Sequence, residues 1–352
     1  MTPFVYQSTP ARVVFGPGSL AQLPRELELL GAKRALVLST PQQAAQAERL
    51  ATQLGERSAG VFAGAVMHVP VEVAREAREV ARARGSDCAI ALGGGSTTGL
   101  GKAIALDSGL PIVAIPTTYA GSEMTSIYGL TENGLKTTGR DARVLPRTVI
   151  YDPELTLTLP LNLTVTSGLN AIAHAAEALY AHDGNPITAL MAEEGIRALA
   201  DALPRLKKDP ADLDARGDAL YGAWLCGVVL GAVSMGLHHK LCHTLGGSFN
   251  LPHAEVHAVV LPHAIAYNAA AAPQAMRRIA RALGGANASA RLHALARDLG
   301  APTALRTLGL RRADLDRAAD LALEARYPNP RPLEREAIRA LLQRAFDGSA
   351  PS

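Results

Sequence analysis

The chain has 352 residues, of which 48% are hydrophobic and 19% are charged, a balance typical of globular proteins and not of disordered ones. A formal net charge of +3 gives no electrostatic case for nucleic-acid binding. No apolar run reaches the ~20 residues that a membrane span needs, and the N-terminus lacks the features of a signal peptide. We therefore expect a cytoplasmic protein, with its three scattered cysteines as reduced thiols.

Short β-type runs alternate with helical patterns along the first part of the chain. The runs are ARVVFG, RALVLST, SAGVFAG, VMHV, DCAIALGGGS and LPIVAIPTT. Such alternation predicts βαβ units, and so a Rossmann-like parallel sheet with helices on both faces. The segment from Tyr128 to Asp152 follows, and its Asn133-Gly134 pair predicts a hairpin turn.

The composition and patterning of the sequence change after Asp152-Pro153. Alanine and leucine dominate, and long helical patterns follow, among them ITALMAEEGIRALADALPRL and ALYGAWLCGVVLGAVSMGLHHKLCHTLGG. The length of the chain also suggests two domains. We predict an α/β domain over residues 1–157 and an all-helical domain over residues 158–352.

A glycine-rich motif, GGGST at Gly93–Thr97, joins a buried strand to a helix. Glycines allow a phosphate to approach the backbone, and the helix N-terminus offers free N–H donors. Plain turn chemistry explains this motif equally well when it is taken alone. The sequence PTTYAGSE at the next strand end favours a ligand site, because both strands end at one edge of the sheet. No acid follows Ser39-Thr40, so a cofactor with a 2′-phosphate is acceptable.

Histidines are dense in the second half. Asn170 and His174 are four residues apart, as are His239 and His243, so each pair shares a helix face. His253 follows a Gly-Gly pair, and His263 lies further on. One buried histidine is more often structural than functional, but four at coordinated spacings favour a site. We expect His238 and His257 to lie outside it and Cys242 to pack in the core.

These motifs together closely resemble the iron-containing alcohol dehydrogenase superfamily, and within it most of all the maleylacetate reductases. The resemblance covers about residues 10 to 345 and rests on GGGST…K, PTTYAGSE, DPELTLTLP, NAIAHAAEALY, HHKLCHTLGGSFNLPHAEVHAVVLPH and YPNPRPL. It implies a dehydroquinate synthase-like fold and a homodimer. It also implies NADH- or NADPH-dependent reduction of the C=C bond of maleylacetate to 3-oxoadipate, in the breakdown of aromatic compounds.

Metal-dependent members of the superfamily hold a divalent cation with an aspartate and three histidines. The matching positions here are Asn170, His174, His239 and His253, so an amide replaces the carboxylate. The acid of the GGGSxxDxxK pattern is replaced as well, by Gly99. A neutral amide offers a cation a dipole instead of a full charge. We therefore expect no metal, and a pocket that holds a dicarboxylate.

The resemblance assigns roles residue by residue. His243 is the first candidate for the donor to the reacting ketone, followed by His253 and His239, with Tyr327 a weaker candidate acid. The substrate is assigned Asn170, His174 and Lys240. The cofactor is assigned Ser39, Gly93, Gly94, Gly95, Ser96, Thr97, Lys102, Thr117, Thr118 and Lys136, although Lys102 and Lys136 also suit solvated surface charges.

Three other readings stay open at this point. A metal-dependent alcohol dehydrogenase could tolerate Asn170 as a poor ligand. A lyase similar to dehydroquinate synthase would need a metal and a different basic set. A non-catalytic nucleotide-binding protein would keep GGGST but would not need the histidines.

Overall fold

The computed structural model describes residues 4, 6, 12–132 and 135–352, without the side chains of Leu135 and Lys136. The chain forms two compact units, one of residues Ser8–Leu159 and one of Pro160–Ser352 together with Met1–Gln7. The predicted boundary after residue 157 lies two residues before this division. Phe4 and Tyr6 group with the second unit, where the sequence placed them in the first domain.

The first unit is built on a six-stranded parallel sheet, as predicted, with strand order β1-β8-β5-β4-β2-β3. Its strands are β1 Arg12–Phe15, β2 Ala35–Leu38, β3 Ser58–Phe62, β4 Cys88–Gly93, β5 Ile112–Pro116 and β8 Thr148–Tyr151. Its helices are α1 Leu23–Leu29, α2 Ala44–Leu54, α3 Val71–Ala83 and α4 Gly95–Ser108.

Two hydrophobic clusters cover the sheet. Leu23 and Leu50, from α1 and α2, pack in one cluster with sheet residues such as Ile90. Ala77 and Ile104, from α3 and α4, pack in the other. Helices that bury different sets of sheet side chains lie on opposite faces, so a doubly wound α/β layer follows.

Two details of this unit differ from the sequence-based expectation. The hairpin forms from β6 Ile127–Glu132 and β7 Leu135–Arg140, and its predicted Asn133-Gly134 turn lies outside the described residues. Thr148–Tyr151 does not continue the hairpin but enters the parallel sheet between β1 and β5. The predicted strand VMHV is wrong, because His68 and Val69 have φ values of 68° and 46°, which extended backbone excludes.

The regular elements of the second unit are helices, with no strand among its described residues, as predicted. Its helices are α5 Leu161–Ala178, α6 Pro186–Lys208, α7 Leu213–Ala232, α8 Leu237–Phe249, α9 His253–Asn268, α10 Pro273–Ala282, α11 Ala288–Leu299, α12 Leu315–Leu323 and α13 Arg335–Asp347. No single helix in the described part is long and apolar enough to cross a bilayer. Only the bent pair α7 and α8 meets that test in length and composition.

The bend between α7 and α8 positions the site. The sequence predicted one continuous helical pattern, but the two helices meet at 96°. The backbone leaves the helical region at Val233, with φ −133° and ψ 168°, and is still outside it at Gly236, with φ −113° and ψ −141°. The first N–H groups of α8 therefore have no acceptor within their own helix. At its other end, α8 runs through Gly246-Gly247 and stops at Asn250, whose φ of 53° is left-handed. The turn into α9 therefore depends on Asn250, and not on the Gly-Gly pair.

Candidate active site

The loop between β4 and α4 has the close backbone approach that the GGGST motif predicted. Gly93 has φ 150°, and a Cβ there would lie 2.4 Å from Thr97 Oγ1. A Cβ on Gly94 would lie 2.9 Å from the side chain of Thr118. Gly94 caps α4 without any side-chain hydrogen bond, so the first N–H groups of the helix stay available to an anion.

The predicted cofactor residues separate into a surface group and a buried group. Gly94, Gly95, Ser96 and Thr118 reach the surface of the loop. Gly93, Ser39, Thr97 and Thr117 are buried, and Thr117 Oγ1 accepts a hydrogen bond of 3.1 Å from Gln43 Nε2. The surface group can touch a bound phosphate, whereas the buried group shapes the loop beneath it. The side chain of Lys136 lies outside the described residues.

Lys102 anchors the segment that follows β5. Its ammonium donates to the carbonyls of Ser122, Thr125 and Ile127 at 2.7, 2.8 and 2.7 Å, and to Thr125 Oγ1 at 2.9 Å. Burial lowers the pKa of Lys102 to about 7, against the opposing charge of Glu123. The N–H donors of Lys102 are already bonded to this segment. Lys102 therefore lies beneath the predicted cofactor site and does not line it.

Replacing Lys102 with methionine should weaken NADH binding by about tenfold or more. The side chain keeps its length, but three carbonyls lose their donor, at about 1–3 kcal/mol for each buried group, and the Thr117–Ile127 segment shifts. Fluorescence titration of NADH measures the effect, with Lys33→Met, at an exposed lysine of the same unit, as the control. Unchanged NADH affinity in Lys102→Met would contradict the anchoring role.

Gly99 stands where the superfamily pattern has an acid. A Cβ at this position would lie 2.8 Å from Val69 Cγ2, closer than real Cβ contacts. A side chain at this position would therefore require the Val69 side chain to move. The packing of α4 against Val69 thus suits a glycine.

In the second unit, three helices bring the predicted histidines together. His174 on α5 and His239 on α8 are stacked, with ring centroids 5.0 Å apart and Nδ1 of His174 2.8 Å from Nε2 of His239. His243 lies one turn further along α8, 6.2 Å from His239 between centroids. The turn into α9 places His253 6.1 Å from His243, with the rings stacked at 17°. The i, i+4 spacings thus build one continuous cluster.

Two further histidines join this cluster, contrary to the sequence-based expectation. His257 contacts His253 at 4.5 Å between centroids, and its Nδ1 lies 2.9 Å from His238 Nε2. Burial lowers the pKa of His238 to about 3 and that of His257 well below its usual value, so both rings stay neutral. His257 shares the i, i+4 spacing with His253, a signal that was available in the sequence. His263, two more turns along α9, instead neighbours Arg344 and His293.

Glu177, which the sequence reasoning did not select, is the buried carboxylate behind the cluster. It accepts hydrogen bonds from the backbone N–H groups of Gly236, His238 and His239 at 3.1, 3.0 and 3.2 Å. His239 Nδ1 lies 2.6 Å from its Oε2, and Tyr180 donates to it at 3.0 Å. Burial alone would raise the pKa of Glu177, but the hydrogen bond and charge of His239 outweigh it and lower the pKa to about 2.

Both ring nitrogens of His239 are therefore occupied, one by Glu177 and one by His174. The predicted role of His239 as a donor to substrate is not supported, because no ring N–H is left for it. His243 is exposed, so it is the member of the cluster that a ligand reaches most directly. His253 and Lys240 are partly exposed, whereas Asn170 and His174 are buried.

Tyr327 lies beside this cluster. Burial, and then the charge of Glu177, raise the pKa of Tyr327, and its buried hydroxyl has no hydrogen-bond partner among the described residues. Asn329 holds the segment in place by accepting from Asn268 Nδ2 at 3.1 Å and donating to Asn268 Oδ1 at 2.8 Å. An unpartnered buried hydroxyl costs about 1–3 kcal/mol, which a ligand oxygen would recover.

The positions that correspond to the metal ligands of the superfamily do not fit a divalent cation as they are arranged. His174 Nδ1 and His239 Nε2 lie 2.8 Å apart and share a proton, so these two nitrogens, as arranged, cannot both offer a lone pair to one ion. Asn170 Oδ1, which has no donor partner in the described part of the chain, adds no negative charge. The nearby carboxylate, Glu177, is already saturated by donors.

Comparison with known proteins assigns the family. Residues 10–153 match the iron-containing alcohol dehydrogenase family, and residues 164–346 match its C-terminal part. The chain belongs to the iron-containing alcohol dehydrogenase family. It is thus an oxidoreductase, and the fold that the motifs implied is confirmed.

The most similar members of this family support the closer resemblance that the motifs indicated. The maleylacetate reductase of Burkholderia cepacia is 68% identical over 352 residues, all of both chains. That of Pseudomonas knackmussii is 59% identical over 349 residues, 99% of both chains. The crystal structure of maleylacetate reductase from Agrobacterium tumefaciens has a TM-score of 0.96 at 59% identity, covering 100% of both chains.

Proposed function

We propose that this family member is an NAD(P)H-dependent maleylacetate reductase that converts maleylacetate to 3-oxoadipate without a metal. The observation that carries the proposal is the histidine cluster, together with an amide, Asn170, on the helix of His174 at the position where the family pattern has a carboxylate. Identities of 58–68% to maleylacetate reductases over nearly the whole chain support it.

The charge of the site suits a substrate with two carboxylates. In the described part of the second unit, Glu177 is the carboxylate that contacts the cluster, and five donor groups already compensate it. Lys240 adds a positive charge on α8, next to His239. Rotating the Asn170 amide by a half-turn would replace its unpartnered oxygen with an N–H2 group that donates to a carboxylate.

In the proposed reaction, the hydride of NADH or NADPH goes to the alkene carbon β to the ketone. The C=C π electrons move toward the ketone, and negative charge develops on its oxygen as an enolate. Donors meet that charge, each worth roughly 3–4 kcal/mol when well placed. His243 is our first candidate, with His253 and Tyr327 next. A proton then bonds to the enolate carbon, which leaves NAD(P)+ and a saturated ketone.

The cofactor is proposed to bind on the first unit through its pyrophosphate. Gly94, Gly95 and Ser96 supply the N–H groups at the start of α4, and Thr118 lies opposite Gly94. No acid follows β2 at Ser39-Thr40, so a 2′-phosphate meets no carboxylate there. We expect both NADH and NADPH to serve.

The decisive experiment is a substrate panel with metal content determined on the same sample. We expect oxidation of NADH on addition of maleylacetate, little reaction with simple aldehydes or alcohols, and no effect of a chelator. Metal analysis should give far less than one ion per chain. A stoichiometric metal whose removal abolishes turnover would reject the metal-free mechanism, and no NADH oxidation with maleylacetate would reject the substrate.

Restoring the family carboxylate tests the charge argument. In Asn170→Asp, a buried carboxylate should raise affinity for Zn²⁺ and weaken binding of a dicarboxylate, by about tenfold for each 1.4 kcal/mol of added repulsion. Calorimetry measures Zn²⁺ binding, and KM for maleylacetate reports the substrate. Asn162→Asp, at an exposed position of the same helix, is the matched control. If both affinities stay as in the parent protein, the charge argument is wrong.

A further inference from the structure

We propose that Glu177 is a positioning residue for this reaction, because its buried carboxylate bonds His239 Nδ1 and so fixes the orientation of the His239 ring against His174. The inference rests on the proposed function for its kinetic consequence. Its structural basis is a hydrogen-bonded chain of three side chains from two helices, α5 and α8.

The first hydrogen bond in this chain has a fixed direction. An ionised carboxylate only accepts, so His239 Nδ1, 2.6 Å from Glu177 Oε2, must hold a proton. The opposite ring nitrogen, His239 Nε2, lies 2.8 Å from His174 Nδ1 and shares a proton with it. Glu177 thus fixes the orientation of the His239 ring and, through that ring, the contact with His174.

Loss of the proton on His239 Nδ1 would break this arrangement. The ring nitrogen and the carboxylate would then be two acceptors facing each other at 2.6 Å. The His239 ring would turn out of this contact, and its Nε2 would leave His174 Nδ1, which lies 2.8 Å away. One hydrogen bond to Glu177 therefore holds the pair of rings in place.

The same carboxylate also holds the start of α8, since it accepts three backbone N–H groups there. A test must therefore separate the orientation of His239 from the simple anchoring of a helix. Glu177→Gln keeps the size of the side chain and one acceptor oxygen. It places an N–H2 group where a backbone N–H or His239 needs an acceptor.

We expect Glu177→Gln to lower kcat for maleylacetate by about 10- to 100-fold, the range for carboxylates that orient metal-binding histidines, since the same hydrogen bond orients His239 here. KM for NADH should not change, because the cofactor site lies on the other unit. In a His239→Gln background the same change should add almost nothing, because Glu177 acts through His239. Additive losses, or a Glu177→Gln enzyme with parental kcat, would overturn the proposal.

Tyr180→Phe is the matched control. It removes one donor, at 3.0 Å, from the same carboxylate and leaves His239 Nδ1 bound. We expect parental kcat from this variant. If Tyr180→Phe loses as much activity as Glu177→Gln, the carboxylate acts through the packing of α5 and not through His239.

A measurement on the unaltered protein covers the case in which Glu177→Gln does not fold. Nitrogen-15 spectra of labelled histidine distinguish a ring protonated at Nδ1 from one protonated at Nε2. We expect a proton on Nδ1 of His239, in a signal that is assigned by its loss in His239→Gln. A His239 ring without a proton on Nδ1 would overturn the inference whether or not maleylacetate is the substrate, whereas failure to reduce maleylacetate would reject only the proposed function.

Discussion

His243→Ala is expected to lower kcat for maleylacetate by about 10²–10⁴-fold, the usual contribution of a general acid, while NADH binds as before. The reason lies in which histidine rings of the cluster are already hydrogen-bonded or buried. His239 is engaged at both ring atoms, and His238 and His257 are buried against each other. His243 is the exposed member, stacked against His253, so a reacting ketone can approach its ring.

Steady-state kinetics with maleylacetate and a fluorescence titration of NADH measure the two halves of this prediction. His182→Ala is the matched control, since His182 is an exposed histidine of the same unit that lies beyond the end of α5. We expect its kcat to be that of the parent protein. Near-parental turnover in His243→Ala would remove this residue from the mechanism and leave His253 as the imidazole donor.

The fold could be predicted from the sequence because its signals are local. The strands DCAIALGGGS and LPIVAIPTT are short, continuous apolar runs, and helices with clear spacing separate them, which is sufficient for a parallel sheet. The apolar pattern fails, in contrast, where the backbone takes a conformation that the side chains do not indicate. VMHV reads as a strand from its side chains, but the positive φ values of His68 and Val69 come from the turn that packs against Gly99.

The break between α7 and α8 was hidden for a related reason. Val233, Ser234 and Met235 are all compatible with a helix, and Gly236 occurs inside many helices, yet the backbone is already extended at Val233. The bend is stabilised from outside the segment, since Glu177 accepts the N–H groups exposed by the break. A helical pattern within one segment cannot report a partner 59 residues away.

The site was predictable in outline and not in detail. Spacings of four residues placed Asn170 with His174 and His239 with His243, because a helix repeats every 3.6 residues. Glu177 carries the same signal, three residues after His174, and is the one acidic residue of α5. Its role depends on burial and on the direction of hydrogen bonds, which a sequence does not display. For that reason the predicted donor role of His239 was not supported.

The second large effect is expected from Tyr327→Phe, which should lower kcat by about 10²–10³-fold, the effect of losing one donor to a developing oxyanion. The hydroxyl of Tyr327 is buried and has no hydrogen-bond partner in the described structure. A ligand oxygen would supply the acceptor that this hydroxyl lacks. Phenylalanine keeps the ring and its packing. Tyr221→Phe, on α7 and in ring contact with Trp224, is the control that should retain parental kcat.

The pH dependence separates two roles for this hydroxyl. Burial, and then the charge of Glu177, raise the pKa of Tyr327 above its ordinary value of about 10, so the phenol remains protonated at neutral and mildly alkaline pH. Such a group donates a hydrogen bond well but gives up its proton poorly. The ratio of kcat between the parent and Tyr327→Phe should therefore stay constant from about pH 6 to pH 9. A ratio that falls as pH rises through this range would mean that the phenol ionises there, and Tyr327 would then act as a proton donor with a lowered pKa.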